Sequence, residues 1–225
     1  LTTWGGAPER VSVVHPAIDP TLGPITDAAR IAAFRRRVAA TRPYILFIGT
    51  LEPRKNLATL IEAFALARDQ GLHDHELLLV GSTDWEGGAH VKALRELIRR
   101  RGLSEWVRLT GYVPADDRAL WYAAATALVL PSWYEGFGFP AAEALACGIP
   151  VIASRAGSLP EVVGKAGLLC APEDVAAWAT ALRDVAEDAT WRARAMASAA
   201  KNAARFTEAA LAQGTLAVYE RVLRR

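Results

Sequence analysis

The stretch Ser132 to Ala153, SWYEGFGFPAAEALACGIPVIA, decides the fold. A short apolar run, Ala127 to Leu130, closes on Pro131 and gives way to an acidic, glycine-bearing loop, Glu135-Gly136-Phe137-Gly138. Pro140 suits the opening of a helix, Ala141 to Cys147 continue it, and Gly148 stands where a left-handed stop is expected. Pro150 forbids continuation, and Val151 to Ala153 reads as a second buried strand. A strand, a glycine loop, a short helix and a strand place free backbone N–H groups and the positive end of a helix together, where a phosphate can sit. Glu135 precedes the glycines and Glu143 is expected in the first helical turn, within reach of hydroxyl groups beyond the anion. The alternative is that Glu143 only complements the helix dipole while Glu135 is solvated. Two acids beside an anion site favour a ligand carrying both phosphate and sugar hydroxyls.

Working outward, Tyr44 to Ile48, YILFI, is an apolar run of strand length followed by Gly49-Thr50-Leu51-Glu52-Pro53-Arg54-Lys55-Asn56. Asn56 is expected to cap a helix over Leu57 to Arg68, with Leu60, Ile61, Phe64 and Leu66 on its buried side. Arg54 and Lys55 then lie in a strand-to-helix loop, the edge at which open parallel sheets bind ligands. Two cations there suit a diphosphate, or are surface charges flanking a helix start. Further strands are expected at Val11 to Val14, Glu76 to Val80, Val107 to Leu109 and, as an edge, Gly167 to Cys170. Helices are expected over Asp27 to Ala40 (Ile31, Phe34 and Val38 inward), Ala89 to Arg101, Asp116 to Ala124 with Asp116 as cap, and Ser158 to Gly164 with Ser158 as cap. From Glu173 the chain reads as helical with breaks near Asp188 and Phe206-Thr207, burying Trp178, Leu182, Val185, Leu211, Leu216, Val218 and Val222. Strands alternating with helices make this an α/β chain with a doubly wound, parallel, Rossmann-like sheet. Arg54, Lys55, Glu135 and Glu143 all fall near the C-terminal ends of strands, so one shared site is expected.

Composition narrows the function classes. With 225 residues the chain buries a substantial core, and a net charge of +2 gives no footprint for nucleic acid. Cys147 and Cys170 sit in apolar contexts without metal-ligand spacing and read as core residues of a reducing compartment. Most of Trp106, Trp121 and Tyr122, aromatic residues at irregular spacing, also read as core, and His90 as a packing or surface histidine. No run approaches the roughly 18 to 20 apolar residues of a membrane span, and no leader-like segment opens the chain. A cytoplasmic location is expected, with peripheral contact at the inner face of a membrane as an addition. Arg35-Arg36-Arg37 is a solvated face or, alternatively, an acidic-lipid contact. The chain begins at Leu1 and reads as if entered partway through a longer one, or trimmed.

The combination resembles the family 4 retaining glycosyltransferases of the GT-B fold, specifically their C-terminal domain. The two glutamates eight positions apart around GFG, continued by EALACGIPVIAS, carry the resemblance. VSVVHPAID is similar to the segment entering that domain, GTLEPRKN to its phosphate-contacting loop and LPEVVGKAGLL to its later loop, so the likeness covers nearly the whole chain. It implies a nucleotide diphosphate sugar as the donor, GDP-mannose favoured and a UDP-sugar the alternative, with no metal or further cofactor. Lys55 and Arg54 would neutralise the diphosphate. Glu135 and the backbone of Gly136, Phe137 and Gly138 would contact the donor sugar and phosphates, with Gly49 and Thr50 lining the same loop. Glu143 would hold the ribose hydroxyls, and the main chain at Tyr112-Val113 would edge the base. Thr50 stands where the family often has arginine, and Lys165 where an acidic residue is common.

The family's acceptor site lies mainly on an N-terminal domain that this sequence lacks. The partners implied are that domain and a glycan or lipid-linked acceptor. A non-catalytic nucleotide-sugar-binding module is the competing reading. A GT-B-like epimerase or phosphorylase fits less well, since no lysine has a cofactor-binding context.

Overall fold

The computed structural model describes residues 7, 10–83 and 85–224. The opening stretch before Arg10 otherwise lies outside the described residues. Six parallel strands form one sheet: β1 (Tyr44–Ile48), β2 (Glu76–Val80), β3 (Val107–Gly111), β4 (Ala127–Leu130), β5 (Val151–Ser154) and β6 (Gly167–Cys170), in the order β3-β2-β1-β4-β5-β6. Every residue of β1, β2, β4 and β5 is buried. Strands covered on both faces have no polar side to alternate with, which is why the sequence shows continuous apolar runs.

Nine helices are described: α1 (Ala28–Arg37), α2 (Leu57–Asp69), α3 (Ala89–Arg100), α4 (Arg118–Ala123), α5 (Phe139–Ala146), α6 (Leu159–Val163), α7 (Val175–Glu187), α8 (Ala189–Ala203) and α9 (Glu208–Leu223). Right-handed crossovers outward from β1 and from β4 send the connecting helices to opposite faces. Accordingly α2 packs against α3 and α7, whereas α5 packs against α6 and α8. Strand order reverses between β1 and β4, so their exit loops open a crevice.

Several expectations are corrected. Val11 to Val14 forms no strand and pairs with neither edge of the sheet; Val13 is exposed, and Val14 packs its side chain against Gly214 of α9 instead. Asp116 lies in a single tight turn, Ala115–Asp117, ahead of α4 and gives no side-chain cap. Asn56 stands at the α2 start but in the left-handed region (φ 54°), and its side chain makes no cap. Ser158 does not cap α6 either. Within α9 no residue is buried: Leu216 and Val222, expected inside, are exposed, and Leu211 and Val218 are half-buried. Trp178, Leu182 and Val185 of α7 are buried as expected.

Trp121 and Tyr122 are core, and both cysteines are buried, with burial first among the causes that push Cys147 up to about 12 and Cys170 to about 11. Trp106 is only half-buried and carries Arg42 and Arg68 over its ring at 4.0 and 3.4 Å. No described helix is long and apolar enough to cross a membrane.

Candidate functional site

β1 exits through Gly49, whose N–H donates to Val80 O, and β2 exits through Gly81, whose N–H donates to Gly111 O. A Cβ on Gly81 would lie 1.8 Å from Gly49 O, so only glycine lets these two turns touch. The chain then tightens into a single turn at Pro53–Lys55 and reverses at Asn56. Asn56 Nδ2 donates to Pro131 O (3.1 Å) and Pro172 O (2.8 Å), and its Oδ1 accepts from Thr59 (2.7 Å). One amide thereby ties the exits of β1, β4 and β6 together, in place of the cap expected of it.

That stitching brings Lys55 and Arg54 against Glu135. Glu135 Oε1 accepts from Lys55 Nζ (2.7 Å) and Ser132 Oγ (2.7 Å), and Oε2 accepts from Arg54 Nη1 (3.0 Å). Arg54 also donates to Tyr134 O (2.7 Å) and, through Nη2, to Glu52 (2.5 Å). Lys55 and Glu135 are each only 7 % exposed. Burial by itself would raise the Glu135 carboxyl, but the hydrogen bonds and charge of Lys55, with Ser132 and Arg54, outweigh it and hold the group below the usual carboxylate range. The main chain of Glu135 is fixed as well, its carbonyl accepting from Ser158 N (3.2 Å) and Ser158 Oγ (3.1 Å). Gly157 backs it: a Cβ there would meet Glu135 O at 2.6 Å, at a φ of +55°.

Gly138, at φ +90°, ends the loop, and α5 starts at Phe139 with Pro140 in its first turn. A Cβ on Gly138 would strike Leu159 at 2.7 Å, so the turn is fixed by α6 beneath it. Gly148 takes the left-handed conformation expected past the helix end (φ 76°).

Because α5 starts at Phe139, Glu143 falls in its second turn rather than its first. It turns toward α4, with Oε1 accepting from Arg118 Nη1 (2.7 Å) and Oε2 from the Tyr122 hydroxyl (2.8 Å). Tyr122 is fully buried; burial first, and then the negative charge of Glu143, push its phenol up, so it remains a donor.

The structure therefore brings Arg54, Lys55 and Glu135 into contact and places Glu143 two turns of chain away in a separate cage. Gly49, Thr50, Gly136, Phe137 and Gly138 lie on the flanking exit loops. Phe137 packs edge-on to Phe139 (5.0 Å) and Phe206 (5.2 Å). Tyr112 and Val113 follow β3 on the same edge of the sheet, Tyr112 exposed and Val113 half-buried. Asn56, Ser132, Arg118 and Tyr122 are the members that sequence reasoning missed. Arg118 and Tyr122 had one signal, their i, i+4 spacing on a helix facing a buried acid.

Among the described residues, no group of three or more His, Cys, Asp or Glu side chains gathers as metal ligands would. A doubly wound sheet with a glycine loop, a helix start, two cations and two buried acids at its switch point defines an α/β domain of the anion- and nucleotide-binding class.

The chain belongs to the group 1 glycosyl transferases, whose family profile matches residues 42–188. It is 38% identical over 184 residues to O-antigen chain mannosyltransferase B of Escherichia coli, a match covering 82% of this chain and 47% of that one. It is 37% identical to the D-inositol 3-phosphate glycosyltransferase of Frankia alni, across 99% of this chain and 56% of that protein. Among solved structures it is similar to HepE of Anabaena in complex with UDP (TM-score 0.86, 27% identity, 100% of this chain and 60% of that). The chain thus spans about half the length of the curated relatives it matches.

Proposed function

We propose that this chain is the donor-binding domain of a retaining glycosyltransferase. It would move a sugar, mannose favoured, from a nucleotide diphosphate sugar to a glycan or lipid-linked acceptor carried mainly by an N-terminal domain. The observation that carries the reading is the Lys55–Arg54–Glu135 cluster at the crevice where strand order reverses.

Lys55 spends one of its three donors on Glu135, so its ammonium retains donors for a phosphate oxygen. Arg54, anchored by Glu52, Glu135 and Tyr134 O, presents the rest of its fork beside it. As the bond from sugar to diphosphate breaks, negative charge grows on the leaving group, and these cations with the α5 start stabilise it. Glu135, held ionised and immobile, would meet the hydroxyls of the transferred sugar along with the backbone of Gly136, Phe137 and Gly138. Glu143 would hold the ribose, and the main chain of Tyr112 and Val113 would edge the base.

The mannosyltransferase relative supports mannose as the sugar, which we assign to a GDP carrier; the HepE complexes with UDP and UDP-glucose favour a UDP-sugar as the second reading. Calorimetric titration with GDP and UDP separates the two, and tighter binding of UDP overturns the GDP assignment. Changing Glu143 to Ala in the full-length enzyme is expected to weaken donor binding about tenfold or more. Unchanged donor affinity and turnover would remove the ribose assignment.

A further inference from the structure

Glu143 is 6 % exposed, and its two oxygens are already claimed, one by Arg118 and one by Tyr122. Both partners come from one face of α4, a single turn apart. An ionised carboxylate offers about four lone-pair sites, so one site on each oxygen stays open. Two adjacent acceptors match two adjacent hydroxyls. That match requires the acid to be charged, because a neutral carboxyl turns one oxygen into a donor and breaks the pattern.

The groups around Glu143 are the Tyr122 phenol, the Cys147 thiol on its own helix and Arg118, with Asp19 acting on Arg118 from the loop before α1. Of these only Arg118 is a cation. Its guanidinium is part-buried and in direct contact at 2.7 Å, giving the buried carboxylate its one partner of opposite charge among these groups.

We propose that Arg118 is the positioning residue for nucleotide selection: it holds Glu143 aimed so that the domain accepts ribonucleoside diphosphates and discriminates against their 2′-deoxy counterparts. The inference rests on the assignment of Glu143 to the ribose and adds the group that makes the acid fit for it.

The test is titration of the full-length protein with the preferred nucleoside diphosphate and with its 2′-deoxy form. The wild type is expected to favour the ribonucleotide by about tenfold or more, the worth of a hydrogen bond to a charged group. Arg118→Met should weaken the ribonucleotide more than the 2′-deoxy form, which keeps only its 3′-hydroxyl to lose on Glu143, so that the ratio falls toward one. Arg118→Lys should restore most of the ratio. A loss of stability alone would lower both affinities together and leave the ratio intact, which overturns the proposal. Should Arg118→Met fail to fold, Arg118→Gln, close in shape and uncharged, decides in its place on the same ratio. A wild type that binds both nucleotides equally would instead overturn the ribose assignment itself, whereas a selective wild type with an equally selective Arg118→Gln variant sinks only the role of Arg118.

Discussion

Glu135 and Glu143 are the same residue type, equally buried and eight positions apart, yet they are supported in different ways. Glu135 is held by the loop of a neighbouring strand: Lys55 and Arg54 arrive from the β1 exit, Ser132 from its own loop, and Ser158 and Gly157 from beyond β5. Glu143 is held by one helix, α4, through a guanidinium and a phenol. The difference teaches that the first acid is a product of the sheet, since it exists only where β1 and β4 lie side by side, and the second a product of local helix packing. Damage to the sheet edge should therefore abolish chemistry, and damage to α4 should retune binding.

The contrast can be broken by mutation. Lys55→Ala in the full-length enzyme removes the buried cation and leaves Glu135 with Arg54 and the Ser132 hydroxyl. Turnover is expected to fall roughly 100- to 1000-fold, as for loss of one preorganised charge contact, and steady-state kinetics on the purified variant would check it. Gly157→Ala pushes a Cβ into the Glu135 main chain in a left-handed conformation. Thermal or denaturant unfolding should show a loss of about 3 kcal/mol, with Glu143 left undisturbed.

Tyr122→Phe keeps the ring and deletes one donor to Glu143, which should cost about 1 kcal/mol of nucleotide affinity by calorimetry while turnover at saturating donor is retained. The smallest effect concerns pH. Because folding depresses the Glu135 carboxyl, its contribution to stability is full above the unfolded value of roughly 4.3 and drains away as pH falls through the lower folded value. Melting curves recorded from about pH 7 down to about pH 3 should show Glu135→Gln losing that part of the acid-side slope.

The sheet was legible because buried parallel strands announce themselves as apolar runs: YILFI and ALVL required no partner to be recognised. The short VSVV run had the same look and forms no strand, since residues that favour strands take that form only when they pair with a sheet, and Val14 instead packs on α9. Lys55, Arg54 and Glu135 were readable as neighbours through their common placement at strand ends, but their mutual ion pairing was not. That depends on Asn56 adopting a left-handed turn and bonding two distant carbonyls, a long-range outcome hidden behind a residue that reads locally as a cap. Arg118 carries no local mark of its role, and only the placement of α4 beside α5 gives it Glu143 as a partner.

The sheet and α9 also differ in how freely their sequences can drift. A helix with no buried residue answers to no core, and the stripe Leu216, Tyr219 and Leu223 stands exposed along it. Substitutions there carry almost none of the packing penalty that polices β1 or β4. The outer face of α9 can thus be rewritten to suit whatever surface it meets without unseating the fold, a freedom that Gly81 and Gly157, closed in by backbone, do not have.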